Sequence, residues 1–95
     1  AALGYNDSVA LGIIIGTEEL NLKVPKDLSV IGFDNIKFGT YKKTKLTTIS
    51  SAPEKLGKLI ASQLVDKKDT NIKSNNISSI TLTPNMIIRN SCSKI

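Results

Sequence analysis

The segment 24–35, VPKDLSVIGFDN, constrains the fold of this chain more than any other. A turn at Pro25 precedes the apolar run 28–33, which ends abruptly at Asp34. Because the run is apolar on both faces except at Ser29, it predicts a parallel strand that is covered on both sides. In open parallel sheets, small ligands bind beyond the carboxyl ends of the strands, where loops converge. Asp34 is therefore the first candidate for a ligand-binding residue.

Length and composition limit the chain to one small globular domain. Of its 95 residues, 40% are hydrophobic and 22% are charged. A chain of this size buries only about 60 to 70 per cent of the surface that its unfolded form exposes, so the core is modest. Cys92 has no partner for an internal disulfide, and no apolar run reaches the roughly 20 residues of a membrane span. These features favour the reducing cytoplasm and argue against a membrane partner.

The residue inventory argues against catalysis and against a metal site. The chain contains no histidine, so a Cys-His pair for nucleophilic catalysis is excluded. The same inventory lacks the ligand set of a zinc site, and no glycine-rich phosphate loop is present. We predict that the protein is not an enzyme and uses no cofactor and no metal ion.

The net charge of +5 raises the question of nucleic-acid binding. Groove reading normally needs a helix-turn-helix or a similar element, which this chain does not offer. Only one arginine, Arg89, could make a bidentate contact. We interpret the basic residues as solvated and expect no direct contact with DNA. They include one local cluster of lysines at Lys37, Lys42, Lys43 and Lys45.

The first half of the chain predicts a βαβ unit. A short apolar strand at 1–5 leads into the polar residues 6–8, whose side-chain oxygens suit a helix N-cap. Apolar residues at helical spacing predict a helix over 8–20, and the strand at 28–33 completes the unit. Two glycines one turn apart indicate that another element packs closely on this helix: Gly12 and Gly16.

The second half predicts a further β, α, β series. The expected order is an irregular stretch at 36–45, a strand at 46–49, a helix at 53–68, a polar loop at 69–76, short strands at 77–83 and 86–89, and a tail at 90–95. The helix begins at Pro53, which suits a first turn, and is amphipathic. Its apolar stripe consists of Leu56, Leu59, Ile60 and Leu64.

Five separated motifs, in order and in register, resemble the C-terminal part of transcription regulators of the lactose-repressor/galactose-repressor family. The resemblance extends over essentially the whole chain. The motifs are NDSVALG at 6–12, VPKDLSVIGFDN at 24–35, LTTI at 46–49, Leu56-Gly57, and Pro84 followed by RNS at 89–91. Two positions depart from the family pattern: Ser51, where the family often has Gln, and Thr44, where it often has Pro.

The resemblance implies an α/β fold, part of a two-lobed, periplasmic-binding-protein-like architecture with a parallel sheet flanked by helices. Residues 1–50 would belong to the distal lobe of the effector-binding core. Residues 51–76 would form a crossover helix and a polar loop of the proximal lobe, and 77–95 returning strands and a tail. Such regulators bind operator DNA through an N-terminal domain that this chain does not contain.

The resemblance also implies residue roles. Asp34 would accept hydrogen bonds from the hydroxyls of a small-molecule effector, a sugar or a related metabolite. Asn6 would approach the same cleft, with Asn35 and Ser51 supporting the site. A homodimer is expected, and its interface would include Leu11, Ile15, Phe38 and Tyr41.

Plainer interpretations remain open beside these roles. Asn6 or Asp7 could serve only as a helix cap, Asp34 as a turn former at a strand end, and the four apolar residues as core. The rival function is a sugar-binding module of a transport system, because such modules share the fold.

Overall fold

The computed structural model describes residues 1–37, 40–41, 43–68 and 79–94. Of the residues singled out above, Phe38, Lys42 and the loop 69–76 lie outside these ranges. The elements in chain order are β1 (Ala2–Leu3), α1 (Asp7–Glu19), β2 (Val30–Phe33), β3 (Thr40–Tyr41), β4 (Thr44–Lys45), β5 (Thr47–Ser50), α2 (Pro53–Lys68) and β6 (Asn85–Ile87).

Four strands form one sheet in the order β1-β2-β5-β6. β2 pairs in parallel with β1 and with β5, and the register places Ile31 opposite both Leu3 and Thr47. β6 pairs with β5 in antiparallel orientation, with Ile49 opposite Met86. The sheet is therefore mostly parallel, which confirms the predicted α/β class.

Helix α1 forms because its N-terminus is capped and one of its faces is apolar. Asn6 is the N-cap, and its Oδ1 accepts a hydrogen bond of 2.9 Å from the Val9 amide. This confirms the cap interpretation, and the helix begins one residue before the predicted Ser8. α1 covers one face of the sheet through a core of four residues with no exposed surface: Ala10, Ile14, Val30 and Leu46.

Close packing occurs at two glycines other than the two predicted ones. At Gly12 and Gly16, no described atom lies within 4 Å of the position that a Cβ would occupy, so the expectation of a close neighbour is wrong within the described chain. A Cβ at Gly4 would lie 2.6 Å from the backbone nitrogen of Ala10. At Gly32 it would collide with the Asp7 carboxylate. The glycines that matter here therefore lie where the strands meet α1.

Several element bounds differ from the sequence-based predictions. β2 begins at Val30 rather than at position 28, and the stretch 36–45, predicted to be irregular, contains the short hairpin β3-β4. The segment 79–84 has no regular structure, and β6 ends at Ile87. Local patterns indicate an extended backbone, whereas pairing with a neighbour decides which of its residues form a strand.

The segment after β6 is not the free tail that was predicted for 90–95. The buried Ser91 hydroxyl donates to the Val30 carbonyl at 2.6 Å and accepts from the Thr47 amide at 2.7 Å. Asn90 bonds to the backbone of Lys45 through its side chain and its own amide. These bonds join the amino-terminal ends of β2 and β5, so the segment after β6 packs across that end of the sheet.

Helix α2 spans the predicted residues but is not packed like α1. Ile60 is 50% exposed and Leu64 is 63% exposed, and both belong to its apolar stripe. The molecule is elongated, with extents of 63 × 23 × 17 Å. Within the described residues, the stripe is therefore left largely open to solvent.

Candidate functional site

Asp34 occupies the position that the sequence predicted, directly after β2 at the carboxyl end of the sheet. Its side chain is exposed, while its amide donates to the Ile49 carbonyl at 2.9 Å. Asp34 and Asn35 both have positive φ, 102° and 53°, a region that Asp and Asn tolerate better than most other residues. Strained backbone of this kind clusters at ligand sites. The backbone here turns sharply and presents the carboxylate outward.

Asp34 borders two clefts. One, the basic cleft, has a volume of about 580 Å³ and lies between the loop after β2 and the start of α2. The other, the aromatic cleft, has a volume of about 360 Å³ and is lined by Tyr5, Phe33 and Asp34. The volumes fall in the range of small-molecule sites, roughly 300 to 1,000 Å³. The basic cleft is lined by Asp34, Asn35, Lys37, Ser50, Ala52, Pro53, Glu54, Lys55 and Lys58.

The buried carboxylate of Asp7 holds the Asp34 loop through hydrogen bonds. Asp7 has no exposed surface, and its Oδ2 accepts a hydrogen bond of 2.8 Å from the Ile36 amide. Its Oδ1 accepts a short hydrogen bond from the Thr48 hydroxyl, and the same hydroxyl accepts from the Asn35 amide at 3.4 Å. Asp7 also stands in the first turn of α1, where the helix dipole favours a negative charge. The loop 34–36 is thus tied to both α1 and β5.

Arg89 fixes the same loop from the other side. Its Nη2 donates to Asn35 Oδ1 at 2.7 Å, and its Nη1 donates to the Leu46 carbonyl at 2.6 Å. Its backbone amide donates to Thr47 Oγ1 at 3.0 Å. The guanidinium is therefore engaged in hydrogen bonds inside the fold. Asn35 also lines the basic cleft, so this bond positions one of the cleft's own side chains.

The other predicted site residues are less directly placed. The Asn6 side-chain oxygen is committed to the helix cap, and neither cleft is lined by Asn6. Ser51 is half-buried and lines neither cleft, whereas its neighbour Ser50 lines the basic one. The structure thus brings Asp34 and Asn35 together at the clefts, while Asn6 and Ser51 lie in the segments beside them.

Of the four residues predicted for a dimer interface, the two on α1 have described side chains. Ile15 is 38% exposed on α1, and Leu11 is half-buried and packs beside the core. Tyr41 belongs to β3.

Sequence reasoning missed three residues that hold the site: Asp7, Thr48 and Arg89. Each belongs to a motif that was recognised, but the local pattern gave no sign that the three side chains converge on one loop. For Asp7, the available signal was an acidic residue between a short strand and a helix, which cap chemistry alone already explained.

The described ranges add neither a membrane span nor a metal cluster to this site. No helix there combines the length and the apolar character that crossing a membrane requires. No group of three or more His, Cys, Asp or Glu side chains is placed to hold a metal ion.

Comparison with known proteins defines the class of protein. Residues 1–92 match the family model of the periplasmic binding protein-like domain. The chain belongs to this family, and its mostly parallel α/β sheet is the fold that its LacI-family structural neighbours share.

The individual relatives are transcriptional regulators. The HTH-type transcriptional repressor PurR of Vibrio vulnificus is 33% identical over 96 residues, covering 100% of this chain and 28% of that protein. A LacI family transcriptional regulator from Enterococcus faecium with bound ribose superposes with a TM-score of 0.83 at 33% identity, covering 96% of this chain and 33% of the other. One from Lactobacillus casei with bound sucrose superposes with a TM-score of 0.77 at 26% identity, covering 95% and 32%. This chain spans about a third or less of the length of each.

Proposed function

We propose that this chain forms part of the effector-binding core of a LacI-family transcriptional repressor, in which a small molecule, in the simplest case a sugar, alters affinity for operator DNA. The observation that carries the proposal is Asp34, an exposed carboxylate at the carboxyl end of β2 that borders two clefts. The relatives support the repressor role over that of a transport module, and two of the similar structures hold a sugar, ribose or sucrose.

The chemistry of Asp34 suits a polyol. An ionised carboxylate accepts charge-assisted hydrogen bonds from two adjacent hydroxyls. Tyr5 and Phe33, which line the aromatic cleft beside it, offer apolar ring surface to the carbon face of a sugar. Small-molecule sites commonly combine such apolar walls with a few fixed polar groups. The site that we propose therefore has its polar anchor at Asp34 and its apolar wall at the two rings.

The remaining predicted residues take supporting roles in this proposal. Asn6 can offer its amide NH₂ group to a ligand while its oxygen caps α1. Asn35, held by Arg89, fixes the direction of the loop, and Ser51 adjoins the site at the start of the crossover segment.

The proposal extends to assembly. The accessible side of α1 at Ile15, with Leu11, Phe38 and Tyr41, forms the homodimer face, and operator DNA is contacted by another part of a longer regulator that works in the cytoplasm. We assign the chain no catalytic step and no cofactor.

Substitution of Asp34 tests the proposal. Asp34→Asn keeps the size of the side chain and its tolerance for positive φ but removes the charge. Binding of the cognate sugar, found by calorimetry with a panel that begins with ribose and sucrose, should weaken by about 1 to 3 kcal/mol, roughly 5- to 150-fold. Glu19→Gln, the same change at an exposed position on α1, should leave affinity unaltered. Equal affinity of Asp34→Asn and the unsubstituted chain would refute the proposal.

A further inference from the structure

The basic cleft carries a charge pattern that a neutral sugar does not require. Lys37, from the loop after β2, lies in it together with Lys55 and Lys58, from the first turns of α2. The hydroxyls of a neutral sugar are satisfied by carboxylate, amide and hydroxyl groups alone. Three ammonium groups from two separate elements therefore need another explanation.

The side chains of the three lysines make no bond to another described residue that would hold the fold together. All three are exposed, and in the described part of the chain none of them takes part in an ion pair. Asp34 and Glu54 are the two carboxylates that line the cleft, so its cationic groups outnumber its anionic ones. The cleft therefore has an excess of one positive charge, and its two exposed carboxylates lie on opposite sides, Asp34 after β2 and Glu54 at the start of α2.

The start of α2 adds to this positive character. Pro53 is the first residue of the 16-residue helix and Ala52 precedes it with a φ of 51°. Alanine has no side-chain oxygen with which to cap the first turn. Among the described residues, no side-chain acceptor for the Glu54 or Lys55 amide is found. Free amides and the helix dipole both favour an anion at this end. The amides and the dipole add to the attraction that the three lysines exert on an anion.

We propose that the effector is an anionic sugar, phosphorylated or carboxylated, whose anionic group is bound by Lys37, Lys55 and Lys58 in the basic cleft. This inference rests on the proposed function, in which Asp34 accepts hydrogen bonds from the effector's hydroxyls. A ligand with hydroxyls at one end and a negative group at the other matches the cleft, because Asp34 would repel a ligand that is anionic throughout. The polar ends of the ligand thus have fixed positions relative to β2 and α2.

A titration of the 95-residue chain with matched ligands tests the inference. We would follow ¹⁵N-labelled backbone amides by NMR, which detects millimolar affinities, with ribose, ribose 5-phosphate, ribonate, glucose, glucose 6-phosphate, gluconate and inorganic phosphate. At low ionic strength at least one anionic sugar should bind about tenfold or more tightly than its neutral parent. The largest shift changes should lie at 34–37 and 53–58. The better of the phosphorylated and carboxylated members identifies the anionic group.

Lysine variants then separate a site from general attraction. Lys55→Gln with Lys58→Gln should reduce affinity for the anionic sugar about tenfold and leave that for the neutral parent unchanged, since glutamine preserves helix propensity. The control, Lys26→Gln with Lys94→Gln, removes the same charge at exposed positions outside the cleft and should have no such effect. An equal loss in the control would overturn the inference.

The remaining outcomes distinguish this inference from the function on which it rests. The anion site is refuted if each anionic sugar binds no more tightly than its neutral parent. It is also refuted if no anionic sugar binds at a ligand concentration 20-fold above a dissociation constant of about 1 mM. The anionic-sugar inference also fails if inorganic phosphate alone binds as tightly as the sugar phosphate, because the sugar would then contribute nothing. If Asp34→Asn leaves the lysine-dependent binding unchanged, the anion site stands and the proposed role of Asp34 fails.

Discussion

The two helices differ in what covers their apolar side chains. On α1, Ala10 and Ile14 are fully buried with Val30 and Leu46 from the sheet region. On α2, an equally regular stripe leaves Ile60 and Leu64 at least half exposed. An amphipathic pattern therefore predicts that a helix forms, but not which element will cover it. The region around α1 contains both the hydrophobic core and the hydrogen bonds that hold the Asp34 loop.

The largest effect should separate the two helices directly. Ile14→Ala removes a side chain with no exposed surface and should lower the free energy of unfolding by about 3 to 4 kcal/mol. Leu64→Ala, at a side chain that is 63% exposed, should change it by no more than about 0.5 kcal/mol. Urea denaturation at low protein concentration measures both. A loss at Leu64 as large as that at Ile14 would mean that α2 is covered after all.

The buried polar network should rank next. Asp7→Ala removes the acceptor of the Ile36 amide and of the Thr48 hydroxyl and leaves both without their partner. We expect a loss of about 2 to 3 kcal/mol, the scale of unsatisfied buried polar groups. Glu19→Ala, at the exposed end of α1, is the matched control and should be near neutral. If Asp7→Ala proved equally neutral, Asp7 would be no more than a helix-terminal charge.

The smallest effect concerns two glycines in different surroundings: Gly4 is packed against α1, and Gly12 lies on α1 with open space beside it. Gly4→Ala places a methyl group 2.6 Å from the Ala10 nitrogen and should cost about 1 to 3 kcal/mol. Gly12→Ala meets no described atom within 4 Å and should stabilise α1 by up to about 1 kcal/mol. The melting temperatures of the two variants should shift in opposite directions, down for Gly4→Ala and up for Gly12→Ala. A destabilising Gly12→Ala would reveal a close neighbour on the open side of α1.

Much of the architecture was predictable because it depends on local signals. The N-cap at Asn6, the helix that begins at Pro53 and the strand that ends directly before Asp34 each follow from a few adjacent residues. The hairpin β3-β4 was not predicted, because two-residue strands leave no periodicity to recognise.

The position of Asp34 at the end of a strand was predictable, but the bonds that hold its loop were not. Asp34 follows from the rule for strand ends in parallel sheets. The bonds from Arg89 to Asn35 and from Thr48 to Asp7 join residues more than 40 positions apart. No local pattern in a single sequence encodes such pairs. The basic cleft was missed for the same reason, since Lys37 and Lys55 meet only through the fold and had been interpreted as solvated charges.

Hydrogen exchange tests the central claim most directly, namely that buried bonds fix the Asp34 loop independently of α2. The amide of Ile36 donates to Asp7 and that of Asp34 donates to Ile49. We expect both to exchange only when the sheet opens, and the amides of α2 near Leu64 to exchange about 100-fold faster through local opening, a difference of about 2.8 kcal/mol. Exchange at Ile36 as fast as in α2 would contradict the account, because the loop that carries Asp34 would then not be held in place.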